Sequence, residues 1–112
     1  MLHLKEEKGI IIAYFEGIER FNAHISQTVK DKLNLLFENK GTKVVLDLSG
    51  IHFIDSSAFG TLISVLKTAK LNNGVFKICC ANEEVTELFN IMQLNVVFDL
   101  YKTLDACLKS IK

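Results

Sequence analysis

Apolar and polar positions along this chain alternate between two periods. Ile10-Ile11-Ile12-Ala13-Tyr14-Phe15 is a nearly unbroken apolar run, the pattern of a strand covered on both faces. Ahead of it Leu2 to Lys5 reads as a short strand, with Glu6-Glu7-Lys8-Gly9 as the hairpin turn between them. Ile25, Val29, Leu33 and Leu36 then recur at helical spacing, with Asn22 placed as N-cap and Gly41 in the C-cap region. Val44 to Leu48 is the next strand. Phe59, Leu62, Ile63, Leu66 and Ala69 mark the core stripe of a second helix, stopped by Asn72-Asn73-Gly74 ahead of a strand from Val75 to Cys79. Asn82 caps a third helix whose first turn holds Glu83 and Glu84, the sign the helix dipole prefers. Val96-Val97-Phe98 reads as a short strand, and Thr103 caps a last helix carrying Leu104, Cys107, Leu108 and Ile111. Strands alternating with helices predict an α/β fold: a largely parallel mixed sheet, an antiparallel N-terminal hairpin strand and about four flanking helices.

The densest chemistry lies between Val44 and Lys70. A buried strand runs into a short loop, and Asp55, Ser56 and Ser57 open the amphipathic helix. Unpaired backbone N–H groups and the positive dipole end favour an added negative charge there, a phosphoryl group above all. Asp55 is the expected cap, which leaves Ser56 to face solvent. Farther along, Ser57, Thr61, Ser64 and Thr68 form a small, uncharged row. A partner can approach such a row without stripping water from charges, although a plain solvated face of small residues fits it equally well.

Composition narrows the function. At 112 residues the chain is expected to be one domain, 1–112, with 49% hydrophobic residues and room for a real core. Formal net charge is zero and the basic residues are scattered, so neither nucleic acid nor an anionic membrane is an expected partner. Proline is absent, glycine occurs six times, and no linker or repeat is visible. The opening MLHLKEEKG has no secretory apolar region. No apolar run approaches the ~18 residues needed to span a bilayer. The three cysteines are expected to be reduced thiols in a cytoplasmic protein that is a monomer or weak dimer.

Catalytic and metal chemistry read weakly. Cys79 and Cys80 are adjacent on a strand, where alternation points their side chains to opposite faces and forbids shared chelation. Cys107 lies on an apolar helix stripe and His3, His24 and His52 are dispersed, so no metal and no other cofactor is expected. His52, Asp55 and Ser56 suggest a hydrolase only superficially, because neither serine has the Gly-x-Ser-x-Gly setting of a nucleophile elbow. No phosphate-cradling glycine-rich loop is present either. The chain reads as a non-enzyme.

The segment VVLDLSGIHFIDSSAFGTLISVLKTAK resembles the signature of STAS domains, the family of sulfate-transporter C-terminal domains and bacterial anti-sigma-factor antagonists. The likeness covers nearly the whole chain, from the strand ending near Gly17 to the closing Phe98-to-Leu108 segment. Ala58 stands where the family most often has Gly, and Arg20 stands where many antagonists carry an acidic residue. The resemblance implies a phospho-switched binding module of the anti-sigma-factor-antagonist type. Ser56, directly after the Asp, is then the phosphoacceptor, with Asp55, Ser57, Thr61 and Ser64 at the partner surface. The implied partners are an anti-sigma factor that is also a serine kinase, and a serine phosphatase that resets the switch. The alternative is a STAS scaffold or accessory subunit of a transport or stress-sensing complex, with no sigma factor involved.

Overall fold

A computed structural model describes residues 1–111 of the protein. Strands β1 (Leu2–Glu7) and β2 (Ile10–Phe15) form the antiparallel hairpin, paired from Leu2↔Phe15 to Glu7↔Ile10. The turn is only Lys8-Gly9, with φ of 51° and 79°. Two successive positive φ values give the twist that a two-residue hairpin needs. Glu6 and Glu7, assigned to the turn by their polarity, are instead the last residues of β1. An edge strand tolerates such charge, which also guards it against pairing with other chains.

The main sheet runs β1-β2-β4-β6-β7, with β4 at Lys43–Asp47, β6 at Val75–Cys79 and β7 at Leu100–Tyr101. The β2–β4, β4–β6 and β6–β7 pairs are all parallel. Helices α1 (Ala23–Leu36), α2 (Ser56–Leu71), α3 (Glu83–Ile91) and α4 (Leu104–Ser110) follow in order. Asn22, Asp55, Asn82 and Thr103 each accept a backbone N–H of the helix they precede. The mixed sheet and the four helices are those the sequence predicts.

Side-chain alternation along the strands divides the interior. Val44, Leu46, Phe76 and Ile78 face the large core with Val29 and Leu33 of α1, Leu62 and Val65 of α2, and Val85 and Phe89 of α3. Ile10, Val45 and Cys79 face the other way, against Cys107 of α4. A second, two-stranded sheet joins β3 (Arg20–Phe21) to β5 (Phe53–Ile54) in parallel. It was invisible in the sequence, and it holds together the loops that lead into α1 and α2.

Two expectations fail for stated reasons. The 96–98 strand is instead a 3-10 turn over Leu94–Val96, and pairing resumes only at Leu100. Phe98 is drawn into an aromatic cluster, edge-on to Phe76 and Phe89 at 6.3 and 6.0 Å, while Val96 and Val97 are left exposed. Packing of that ring outweighs the β-propensity of the two valines. Gly41 does not cap α1, which closes at Phe37. It turns the following loop at φ +80°, and its N–H donates to Asn72 O at 2.9 Å.

Candidate functional site

Strand β4 delivers the chain to the site through a tightly bonded loop. Asp47 Oδ1 accepts Ser49 N–H at 2.8 Å and the Ser49 hydroxyl at 2.5 Å. Leu48 N–H donates to Cys79 O at 3.0 Å, and Ile51 is completely buried. The β3–β5 pairing then carries the backbone to Asp55, whose N–H donates to Phe21 O at 3.3 Å. The loop is therefore pinned at both ends before α2 begins.

Asp55 uses both carboxylate oxygens. Oδ1 accepts Ala58 N–H at 3.0 Å and the Ser57 hydroxyl at 2.6 Å. Oδ2 accepts Ala23 N–H, at the start of α1, at 3.0 Å. The Ser57 hydroxyl above all, with these backbone N–H groups, holds the Asp55 carboxyl below its ordinary value of 3.8, against an opposing effect of burial. The group is thus an anion fixed between the starts of two helices.

Ser56 and Ser57 have unlike surroundings. Ser57 Oγ donates to Asp55 and lies 3.2 Å from Ser26 Oγ on α1. Ser56 is the first residue of α2 and is exposed. Its hydroxyl makes no hydrogen bond among the described residues.

The small polar row on α2 needs correcting as a docking face. Thr61, expected at a partner surface, is buried at 5% exposure and donates to Ser26 O at 3.2 Å. Ser26 is buried in turn, with its hydroxyl on Asn22 O at 2.7 Å. Ser57, Ser26 and Thr61 are small because α1 and α2 cross there, and larger side chains would hold the helices apart. Ser64 and Thr68, farther along the row, remain half-buried.

The sequence reading missed a neighbour of the loop. Phe53 on β5 is a large apolar residue left 40% exposed, and the Arg20 guanidinium lies 5.3 Å from its ring centre. The β3–β5 register sets these two residues opposite each other. His52, beside them, meets Asn82 through Nδ1 at 3.1 Å and faces Glu19 at 3.8 Å. Among the described residues these contacts turn His52 toward Asn82 and Glu19 and not toward Asp55 or Ser56.

The cysteines also depart from expectation. Cys80 has left the strand, with φ +67°, so strict alternation does not apply to it. Its side chain turns back, and its thiol donates to Cys79 Sγ at 3.0 Å. The two sulfurs share one face rather than diverging.

Comparison with known proteins matches the STAS domain model to residues 2–107. The chain belongs to the STAS domain family. A Thermotoga neapolitana protein, named as a candidate anti-sigma factor antagonist, is 31% identical over 77 residues, 68% of each chain. Among solved structures, an anti-sigma-factor antagonist (STAS) domain protein of Planctomyces limnophilus is similar, with a TM-score of 0.88 at 20% identity over 97% of this chain and 96% of that one. The anti-sigma factor antagonist SpoIIAA in its unphosphorylated form gives 0.79 at 14% identity over 99% and 96%. Its phosphorylated form, from Bacillus, gives 0.71 at 11% identity over all of both chains. This STAS domain is of the anti-sigma-factor-antagonist type. No helix among its described residues is long and apolar enough to cross a membrane.

Proposed function

We propose that this STAS domain is a phospho-switched antagonist of an anti-sigma factor, with Ser56 as the switch. The observation that carries the reading is the contrast at the start of α2. Asp55 and Ser57 are locked in hydrogen bonds that hold two helices, whereas Ser56 offers an unengaged hydroxyl to solvent. A kinase can take the Ser56 hydroxyl without dismantling the fold.

In the unphosphorylated state the face around Ser56 binds an anti-sigma factor that is also a serine kinase, and the sigma factor is released. Phosphorylation adds about −1.5 to −2 charge and three acceptor oxygens at this face. The N-terminal end of α2 favours that charge by ~0.3–1 kcal/mol, so the domain stays folded. The complex does not survive, because the dianion has to be desolvated against the partner. A serine phosphatase restores the binding form. Phe53, Arg20 and Ser64 complete the contact surface, with Phe53 supplying the apolar anchor.

Calorimetry with an anti-sigma factor/serine kinase encoded in the same genome tests the reading. Unphosphorylated protein binds, and protein phosphorylated on Ser56 binds at least tenfold more weakly. Equal affinity of the two forms contradicts it.

A further inference from the structure

On the sheet face opposite α1 and α2, Asp47, Cys79 and Cys80 each place one ligand atom so that all three lie within 4.8 Å of one another. The grouping follows from register and backbone. Asp47 and Cys79 are direct partners on parallel strands β4 and β6, so their side chains leave the sheet on one face, the face α4 covers. The left-handed turn at Cys80 returns the neighbouring sulfur to the same spot, 3.0 Å from Cys79 Sγ. Cys107 on α4 is buried in the same small cluster as Cys79, and Cys80 packs against that cluster.

We propose that Asp47, Cys79 and Cys80 form a binding site for one thiophilic divalent cation of the zinc and cadmium class. Two sulfurs and a carboxylate oxygen make a donor set for such an ion, and Cys107 stands behind Cys79 as a further sulfur. Cys79 is buried, whereas Asp47 and Cys80 are half-exposed and give the ion its way in. Metal–sulfur bonds of ~2.3 Å in a tetrahedron hold two sulfurs roughly 3.8 Å apart. Cys79 and Cys80 must therefore separate by a little under an ångström, which rotation of the half-exposed Cys80 side chain supplies. On binding, the two thiols each give a proton to solvent and the metal takes both thiolates and the Asp47 carboxylate. A disulfide fits the pair less well. Consecutive Cα atoms lie ~3.8 Å apart, below the ~4.4–6.8 Å that disulfides span.

An ion held here ties β4 to β6 at the point where the loop toward Ser56 leaves the sheet. The test titrates the reduced full chain with cadmium, in a non-thiol reductant, and follows the ultraviolet thiolate-to-metal charge-transfer absorption. The absorption is expected to saturate at one cadmium per chain. Cys80→Ser is expected to weaken binding about tenfold or more and Asp47→Asn also to weaken it, while His24→Ala changes nothing. No charge-transfer absorption at one equivalent overturns the proposal, as does a titration unchanged in both Cys80→Ser and Asp47→Asn. Cys80 lies outside the strand and Asp47→Asn keeps its side-chain volume, so both variants are expected to fold.

Discussion

Asp55 Oδ2 accepts the backbone N–H of Ala23, 32 residues away in sequence, at 3.0 Å, so one carboxylate closes the first turns of two helices. Its other oxygen caps α2 and holds Ser57. The neighbouring Ser56 hydroxyl has no hydrogen bond among the described residues. Asp55 and Ser57 thereby carry the structural duty, and the proposed regulatory one falls to the residue between them.

Because Asp55 caps both helices, Asp55→Ala is expected to cost about 1–2 kcal/mol of stability. Its folded carboxyl titrates below the ordinary value. This stability is therefore present above that value and is lost as pH falls through the lowered folded one. Asp55→Asn keeps an oxygen for α2 but cannot titrate. Denaturant unfolding from neutral pH down through the carboxylate range should show a shallower acid loss in Asp55→Asn than in the wild type.

Thr61 belongs to the crossing of α1 and α2 and not to an open surface. Thr61→Glu should destabilise the domain by roughly 2–4 kcal/mol, since a carboxylate enters a buried site beside Ser26 O, an acceptor that offers it no donor. Thr61→Ser, which keeps the hydroxyl, should cost far less. Thermal unfolding of both variants checks this.

Gly74 is required for space and not for a left-handed backbone. A Cβ there would stand 2.7 Å from Thr42 O and 2.8 Å from the Phe37 ring. The carbonyl is fixed, because it accepts Val75 N–H at 2.9 Å. Gly74→Ala is expected to lose about 1–3 kcal/mol by denaturant unfolding.

Much of this arrangement was legible in the sequence because it is local chemistry. Asn22, Asp55, Asn82 and Thr103 could be read as caps since a short polar side chain ahead of an apolar periodic run needs only its own helix to satisfy it. The β3–β5 bridge could not, because two-residue strands carry no period and exist only through Phe21 and Ile54 meeting the core. The strand forecast at 96–98 failed because Phe98 is claimed by Phe76 of β6 and Phe89 of α3, contacts that the local pattern of valines does not carry. The row from Ser57 to Thr61 was visible as a pattern, but its meaning depended on Ser26 of another helix. Cys80 escaped because nothing in a Cys-Cys pair announces a positive φ.

Phe53 should matter to binding more than to folding. Phe53→Ala is expected to weaken the complex with the anti-sigma factor about tenfold while changing thermal stability little, since the ring is half outside the core and its partner is the exposed Arg20. Surface plasmon resonance beside a melting curve separates the two effects.

Phosphopeptide mass spectrometry, after incubation with the cognate kinase and ATP, tests the switch most directly. Wild-type protein should carry phosphate on Ser56, Ser56→Ala should carry none while still binding the kinase, and Ser57→Ala should still be labelled on Ser56. Phosphate on Ser57 in the wild type, or undiminished labelling of Ser56→Ala, would contradict the assignment of the free hydroxyl as the acceptor.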